Sequence, residues 1–187
     1  MTCRQTATPD MLYVVRHAEA GLRVDEADDH LRALSASGRH QARALADLLA
    51  EVSSRQGTGQ GGAQLVSSPF IRCMETLGPL AARLRCTVVA SDALAEGADI
   101  SAMLTLLRAL PTGSVACTHG DMLTALGALV ADDRSGHPRP LAFDKGVVWV
   151  LSRRGATLAL IDEIPAPHVC VELASTDVDS RTLHASS

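Results

Sequence analysis

Short, uninterrupted apolar runs constrain this chain more than any other feature, and the first of them is Met11-Leu12-Tyr13-Val14-Val15, which stops abruptly at Arg16-His17. A run of this length without alternation reads as a strand buried on both faces, and a strand buried twice needs helices above and below it. The run Val115-Ala116-Cys117 follows the same rule, ending in Thr118-His119-Gly120-Asp121 before a helical stretch from Met122 to Val130. A third short strand, Gln64 to Ser67, leads into Ser68-Pro69-Phe70-Ile71-Arg72. Two histidines and two arginines therefore stand at strand-to-helix junctions, and open α/β sheets bind ligands at the carboxyl ends of their strands.

The rest of the chain fits that frame. Ala42, Leu45, Leu48, Leu49 and Val52 recur at helical spacing behind Ser35, a suitable N-cap. Ser53 to Gly62 is glycine-rich and reads as a flexible loop. Ser68 as N-cap with Pro69 at the first helical position opens a helix through Ile71, Met74, Leu77, Leu80 and Leu84, which Gly78-Pro79 should kink or interrupt. Cys86 to Ala90 reads as a strand, and Ile100 to Leu110 as a helix closed by Pro111-Thr112-Gly113. Val147 to Leu151 and Thr157 to Ile161, separated by Arg153-Arg154-Gly155, read as a hairpin. The expected fold class is α/β: a three-layer sandwich whose mixed central sheet is mostly parallel, with an antiparallel edge, flanked by helices. Residues 1–10 form an N-terminal segment, 11–164 one domain, and 165–187 an irregular, partly disordered, non-catalytic tail.

Composition narrows the function. The 187 residues suit one domain, and 47% hydrophobic residues supply a sizeable core. A net charge of −4 and a pI near 5.9 provide no long-range attraction for nucleic acid or an acidic membrane. Aromatic residues are only 2%, too few for base-stacking platforms. Five cysteines, odd in number and without a C-x-x-C pair, indicate a reducing compartment. With no apolar leader and no long apolar stretch, the expected location is cytoplasmic.

Two guanidiniums can grip a phosphoryl group through paired hydrogen bonds, and helix N-termini add N–H donors. Imidazole, with an ordinary pKa near 6.5, is a competent nucleophile without an activating base. One histidine can take the phosphoryl group, and the other, if protonated, offsets its charge. A rival reading takes His17-x-Glu19 and His119-x-Asp121 as metal ligands, but two arginines converging on the same pocket would repel a divalent cation. His30, His40, His137, His168 and His184 lack such context and read as surface residues, and Arg32, Arg39 and Arg43 as a solvated face. Cys73 and Cys117 lie close to these motifs in sequence and, though expected to be buried thiols, are candidates for oxidation.

On Arg16-His17-Ala18-Glu19-Ala20, Ser67-Ser68-Pro69 with Arg72 and Thr76, and Thr118-His119-Gly120, the chain resembles the histidine phosphatase superfamily from about Met11 to about Ile164. The resemblance implies a phosphoglycerate mutase-like fold, a phosphorylated nucleophile at His17, and a phosphate pocket formed by Arg16, Arg72 and His119. It implies no metal or organic cofactor. Ala18 stands where the family usually has glycine, as in the phosphohistidine phosphatase and Nudix-linked branches. Glu96, in Leu94-Ala95-Glu96-Gly97, resembles the family position of the general acid. Asp121 is the alternative acid or a helix cap, and Glu19 and Asp92 rank below both. Arg23, six residues past His17, is a candidate substrate contact, and Lys145 a candidate for the border of the site. The expected function is hydrolysis of a phosphomonoester or similar phosphoryl compound. The partner is then a small phosphorylated substrate or a phosphohistidine protein, and no oligomeric state is implied. The alternatives are a phospho-binding module with little turnover and, less favoured, a phosphomutase or metallohydrolase.

Overall fold

The computed structural model describes residues 10–23, 28–55, 62–132 and 140–167. In chain order the elements are β1 (Met11–Arg16), α1 (Ala36–Arg55), β2 (Leu65–Ser67), α2 (Ile71–Leu84), β3 (Val88–Ala90), α3 (Ile100–Ala109), β4 (Val115–Thr118), α4 (Gly120–Gly127), β5 (Ala131–Asp132), β6 (Val148–Arg154) and β7 (Thr157–Ile164). They build a mixed sheet of order β3-β2-β4-β1-β6-β7-β5. β3, β2, β4 and β1 are parallel neighbours, and β6 runs antiparallel to both β1 and β7. The two-residue β5 lies parallel to β7 and outside it, so the antiparallel hairpin is not the extreme edge.

Alternation along β1 shows why the sheet needs two covers. Leu12 and Val14 pack with Met103, Leu107, Leu123 and Leu126 of α3 and α4. Tyr13 and Val15 pack on the other face with Leu45, Leu49, Leu77 and Leu80 of α1 and α2. All four strand residues are essentially inaccessible to water, which is why the run carries no polar residue. Trp149 of β6, also fully buried, fills the first core and donates its indole N–H to the Ala142 carbonyl (2.9 Å).

Local chemistry departs from the sequence expectations at several points. Ser35 caps α1 as expected, its hydroxyl accepting from the Gly38 N–H (2.9 Å), but the helix continues to Arg55, beyond the expected loop start at Ser53. α2 begins at Ile71 rather than Pro69, with Phe70 in the cap position and no side-chain cap. Ser68 is thereby freed for another partner. α2 also passes through Pro79 as one helix, because Leu77, Leu80 and Ala81 are buried on both sides of it and tertiary packing holds the turn. α4 starts at Gly120 and ends at Gly127, short of the expected Val130. The hairpin strands run longer than expected, with a register shift between Val150 and Leu151, and turn through Gly155 at φ +60°. The predicted N-terminal segment up to residue 9, most of the glycine-rich loop and the tail from residue 168 lie outside the described residues.

Candidate active site

The parallel register brings the key histidines together. Arg16 pairs with Thr118 across β1 and β4, so His17 and His119, each one residue further, emerge side by side with ring centroids 5.4 Å apart. The Ser67–Cys117 pairing of β2 with β4 brings Ser68 and the start of α2 to the same end, and with it Arg72. The resulting cavity, about 460 Å³, is lined by Arg16, His17, Arg72 and His119 together with Glu96 and Asp121. Arg23, Arg32 and Lys145 also face it.

His17 is 5% exposed, and its Nδ1 lies 2.7 Å from the Ala18 carbonyl oxygen. A carbonyl only accepts, so Nδ1 carries the proton and Nε2 keeps its lone pair. Burial lowers the His17 pKa to about 4 against the opposing pull of the Ala18 carbonyl, and the nearby Arg72, Arg16 and Lys145 push it further down. The ring is therefore neutral at ordinary pH, with Nε2 unprotonated.

His119 accepts at Nδ1 from Arg72 Nη2 (3.2 Å), which fixes its own proton on Nε2, donated to Ser68 Oγ (2.8 Å). Burial, then Arg72 and His17, lower its pKa to about 3, with Asp29 opposing. The expected positive charge on this ring thus has to come with an anion beside it.

Both depressed histidines tie stability to pH. An unfolded chain takes up two protons near pH 6.5 that the folded site refuses, so stability is complete above that pH and declines as pH falls toward 4. Between pH 6.5 and 5, above most carboxylate titration, urea unfolding is expected to show a loss on the order of 3 kcal/mol. The slope should shrink when both rings are replaced by asparagine. A flat stability profile over this interval would contradict the environment described for these rings.

Arg72 is 1% exposed and spans the site. Its Nη1 meets Asp29 through both the carboxylate (3.0 Å) and the backbone oxygen (2.7 Å), and Nη2 donates to Glu96 Oε2 (2.5 Å). Glu96 Oε2 also lies 3.8 Å from His119 Nδ1. Arg16 donates to the Phe143 carbonyl, and Gly120 leaves room for it: a Cβ there would sit 2.9 Å from the guanidinium carbon. Thr76 donates to the Arg72 carbonyl (2.6 Å) and accepts from the Ala18 N–H (3.0 Å), joining α2 to the chain just past His17.

Asp121 does not cap α4, since His119 occupies the cap position without a side-chain bond. Its carboxylate instead accepts from the Gly97 N–H (2.7 Å), pinning the loop that carries Glu96. Arg32, expected on a solvated face, is in fact 19% exposed at its side chain and bound to Asp29. Arg39 and Arg43 are exposed. Asp92 is exposed too, as are His30 and His40, while His137, His168 and His184 lie outside the described residues.

Asp29 and Gln41 were missed by sequence reasoning, and Ser68, read there as a helix cap, is instead the partner of His119. Asp29 is 6% exposed and pairs with Arg23, Arg32 and Arg72, which hold its pKa far below the usual carboxylate range. Gln41 accepts from the Glu19 N–H and donates to the Lys145 carbonyl, strapping the chain leaving β1 to the chain entering β6. Among the described residues no group of three or more His, Cys, Asp or Glu side chains is placed to hold a metal ion, and no helix is long and apolar enough to cross a membrane.

Guanidiniums gathered around an unprotonated imidazole nitrogen, at the carboxyl ends of parallel strands, make an α/β site suited to holding an anion. The family model of the histidine phosphatase superfamily (branch 1) matches residues 12–99. The chain is 32% identical over 162 residues to the 8-oxo-(d)GTP phosphatase of Mycolicibacterium smegmatis, covering 82% of this chain but only 48% of that protein, so it spans about half that relative's length. Among solved structures it is similar to the Agrobacterium tumefaciens protein called SixA, at 24% identity and TM-score 0.62 over 84% of this chain and 98% of that one. It is also similar to the protein histidine phosphatase SixA complexed with tungstate, at 19% identity and TM-score 0.64 over 82% of this chain and 96% of that one. At these identities the two structures share the fold.

Proposed function

We propose that the protein is a phosphatase that hydrolyses a phosphomonoester or related phosphoryl compound through a phosphohistidine at His17. The observation that carries this reading is the buried His17 ring, whose Nδ1 faces the Ala18 carbonyl while its Nε2 is left for attack inside a pocket of Arg16, Arg72 and His119. In the first step Nε2 attacks phosphorus in line, and the electron pair of the breaking P–O bond leaves on the ester oxygen, which Glu96 protonates. In the second, water gives a proton back to Glu96, attacks phosphorus and breaks the P–N bond, restoring the ring. Arg16, Arg72 and His119 hold the equatorial oxygens through both steps. A phosphoryl oxygen competes with Glu96 for Arg72 Nη2, so the arriving substrate releases the Glu96 carboxylate to take a proton from solvent and deliver it to the leaving oxygen.

No metal is needed, because the guanidiniums supply the positive charge a cation would bring. The substrate class includes small phosphate esters, nucleotide-type phosphates and phosphohistidine on a protein; the names of the relatives point to the last two. A reducing, cytoplasmic setting suits the free Cys73, Cys86 and Cys117 thiols. Rapid quench with labelled substrate is the test. It is expected to trap acid-labile, base-stable phosphate on the chain, insensitive to EDTA and blocked by vanadate. Absence of trapped phosphate during active turnover would remove the covalent mechanism.

A further inference from the structure

One buried carboxylate gathers three arginines at the mouth of the pocket. Arg32 Nε bonds Asp29 Oδ1 at 2.8 Å, Arg23 Nε bonds the same oxygen at 3.0 Å, and Arg72 Nη1 lies 3.0 Å from Oδ2. Arg23, Arg32 and Arg72 all line the active-site cavity, whereas Asp29 sits behind them with its side chain 7% exposed. An entering anion therefore meets guanidinium edges and not the carboxylate that orders them. Four arginines and Lys145 line the cavity against the carboxylates of Glu96 and Asp121, among the described residues. Arg16 and Arg72 suffice for one phosphoryl group, which leaves a second cationic pair beside it.

We propose that Arg23 and Arg32, aligned by Asp29, form a second anion subsite adjoining the phosphoryl pocket, so that the preferred substrate carries a diphosphate. This rests on the phosphatase reading of the same pocket and names its substrate class. Adjacency decides the chemistry: Arg32 bonds one oxygen of the Asp29 carboxylate and Arg72 Nη1 lies 3.0 Å from the other, so the second anion lies next to the first and not at the far end of a long substrate. The terminal phosphoryl goes to His17 Nε2, the bridging P–O bond breaks, and its electron pair leaves on the second phosphate, whose charge Arg23 and Arg32 offset. The cavity, about 460 Å³, lies in the range that holds a whole small ligand.

The test is calorimetric titration of the full chain with inorganic phosphate and with methylenediphosphonate, whose bridge cannot be hydrolysed. The diphosphonate is expected to bind about tenfold tighter than phosphate. That preference should fall to near parity in the double variant R23Q/R32Q. It should persist in R39Q/R43Q, which removes the same charge from the exposed face of α1. Equal binding of the two anions by the parent chain overturns the subsite, and so does a preference that survives R23Q/R32Q or is lost equally in R39Q/R43Q. Because binding needs no turnover, the subsite and the phosphohistidine mechanism can fail separately.

Discussion

Replacing His17 with alanine is expected to lower turnover by roughly 10⁴-fold or more, the scale on which loss of a covalent nucleophile collapses a catalytic group that works as a unit. Substrate binding should survive, because Arg16, Arg72 and His119 remain and the small residue removes no positive charge at pH 7, where the ring is neutral. Asparagine at position 17 is a useful companion, since it preserves polarity without an attacking nitrogen. Both variants should therefore bind phosphate while trapping none of it covalently. Near-normal turnover in either would place the chemistry on another group or on water.

The second large effect separates the two candidate acids. Glu96→Gln is expected to cost roughly 10²–10⁴-fold on esters with poor leaving groups and far less on p-nitrophenyl phosphate, whose phenolate departs almost unaided. Asp121 supports Glu96 through the Gly97 N–H and not through the helix. Asp121→Asn keeps an acceptor oxygen for that N–H and should be mild. Asp121→Ala frees the loop and should lower turnover while leaving the p-nitrophenyl rate less affected, the same leaving-group dependence in weaker form. If Asp121→Asn instead gave the larger loss with poor leaving groups, the acid would be Asp121.

These expectations show which parts of the site were legible in the sequence. Arg16, His17 and His119 were readable because each sits within two residues of the end of an apolar run, and the direction of a buried strand fixes the end of the sheet at which those residues emerge. Arg72 was readable from its place in the first turn of a helix, although the helix begins two residues later than Ser68-Pro69 suggested. Ser68 looked like a cap and is instead the hydroxyl that receives the His119 proton. Its local preference lost to a partner 51 residues away. Asp29 and Arg32 were not legible, because they lie in and beside a short 3₁₀ turn without periodicity. Their i,i+3 spacing was visible, but nothing local shows that Arg72, 43 residues on, shares the same carboxylate. Pro79 illustrates the converse, a strong local breaker overruled by burial on either side of it.

The dry surroundings of His17 also set the order in which the protein fails in acid. Its Nε2 stays unprotonated down to about pH 4, so the attack proposed for it is expected to remain available well below neutrality. The fold, however, begins to weaken at pH 6.5, where an exposed imidazole would start to take up protons. Acid inactivation is then a collapse of the scaffold around an intact catalyst, one that ligand-bound protein resists because an anion in the pocket binds only the folded chain.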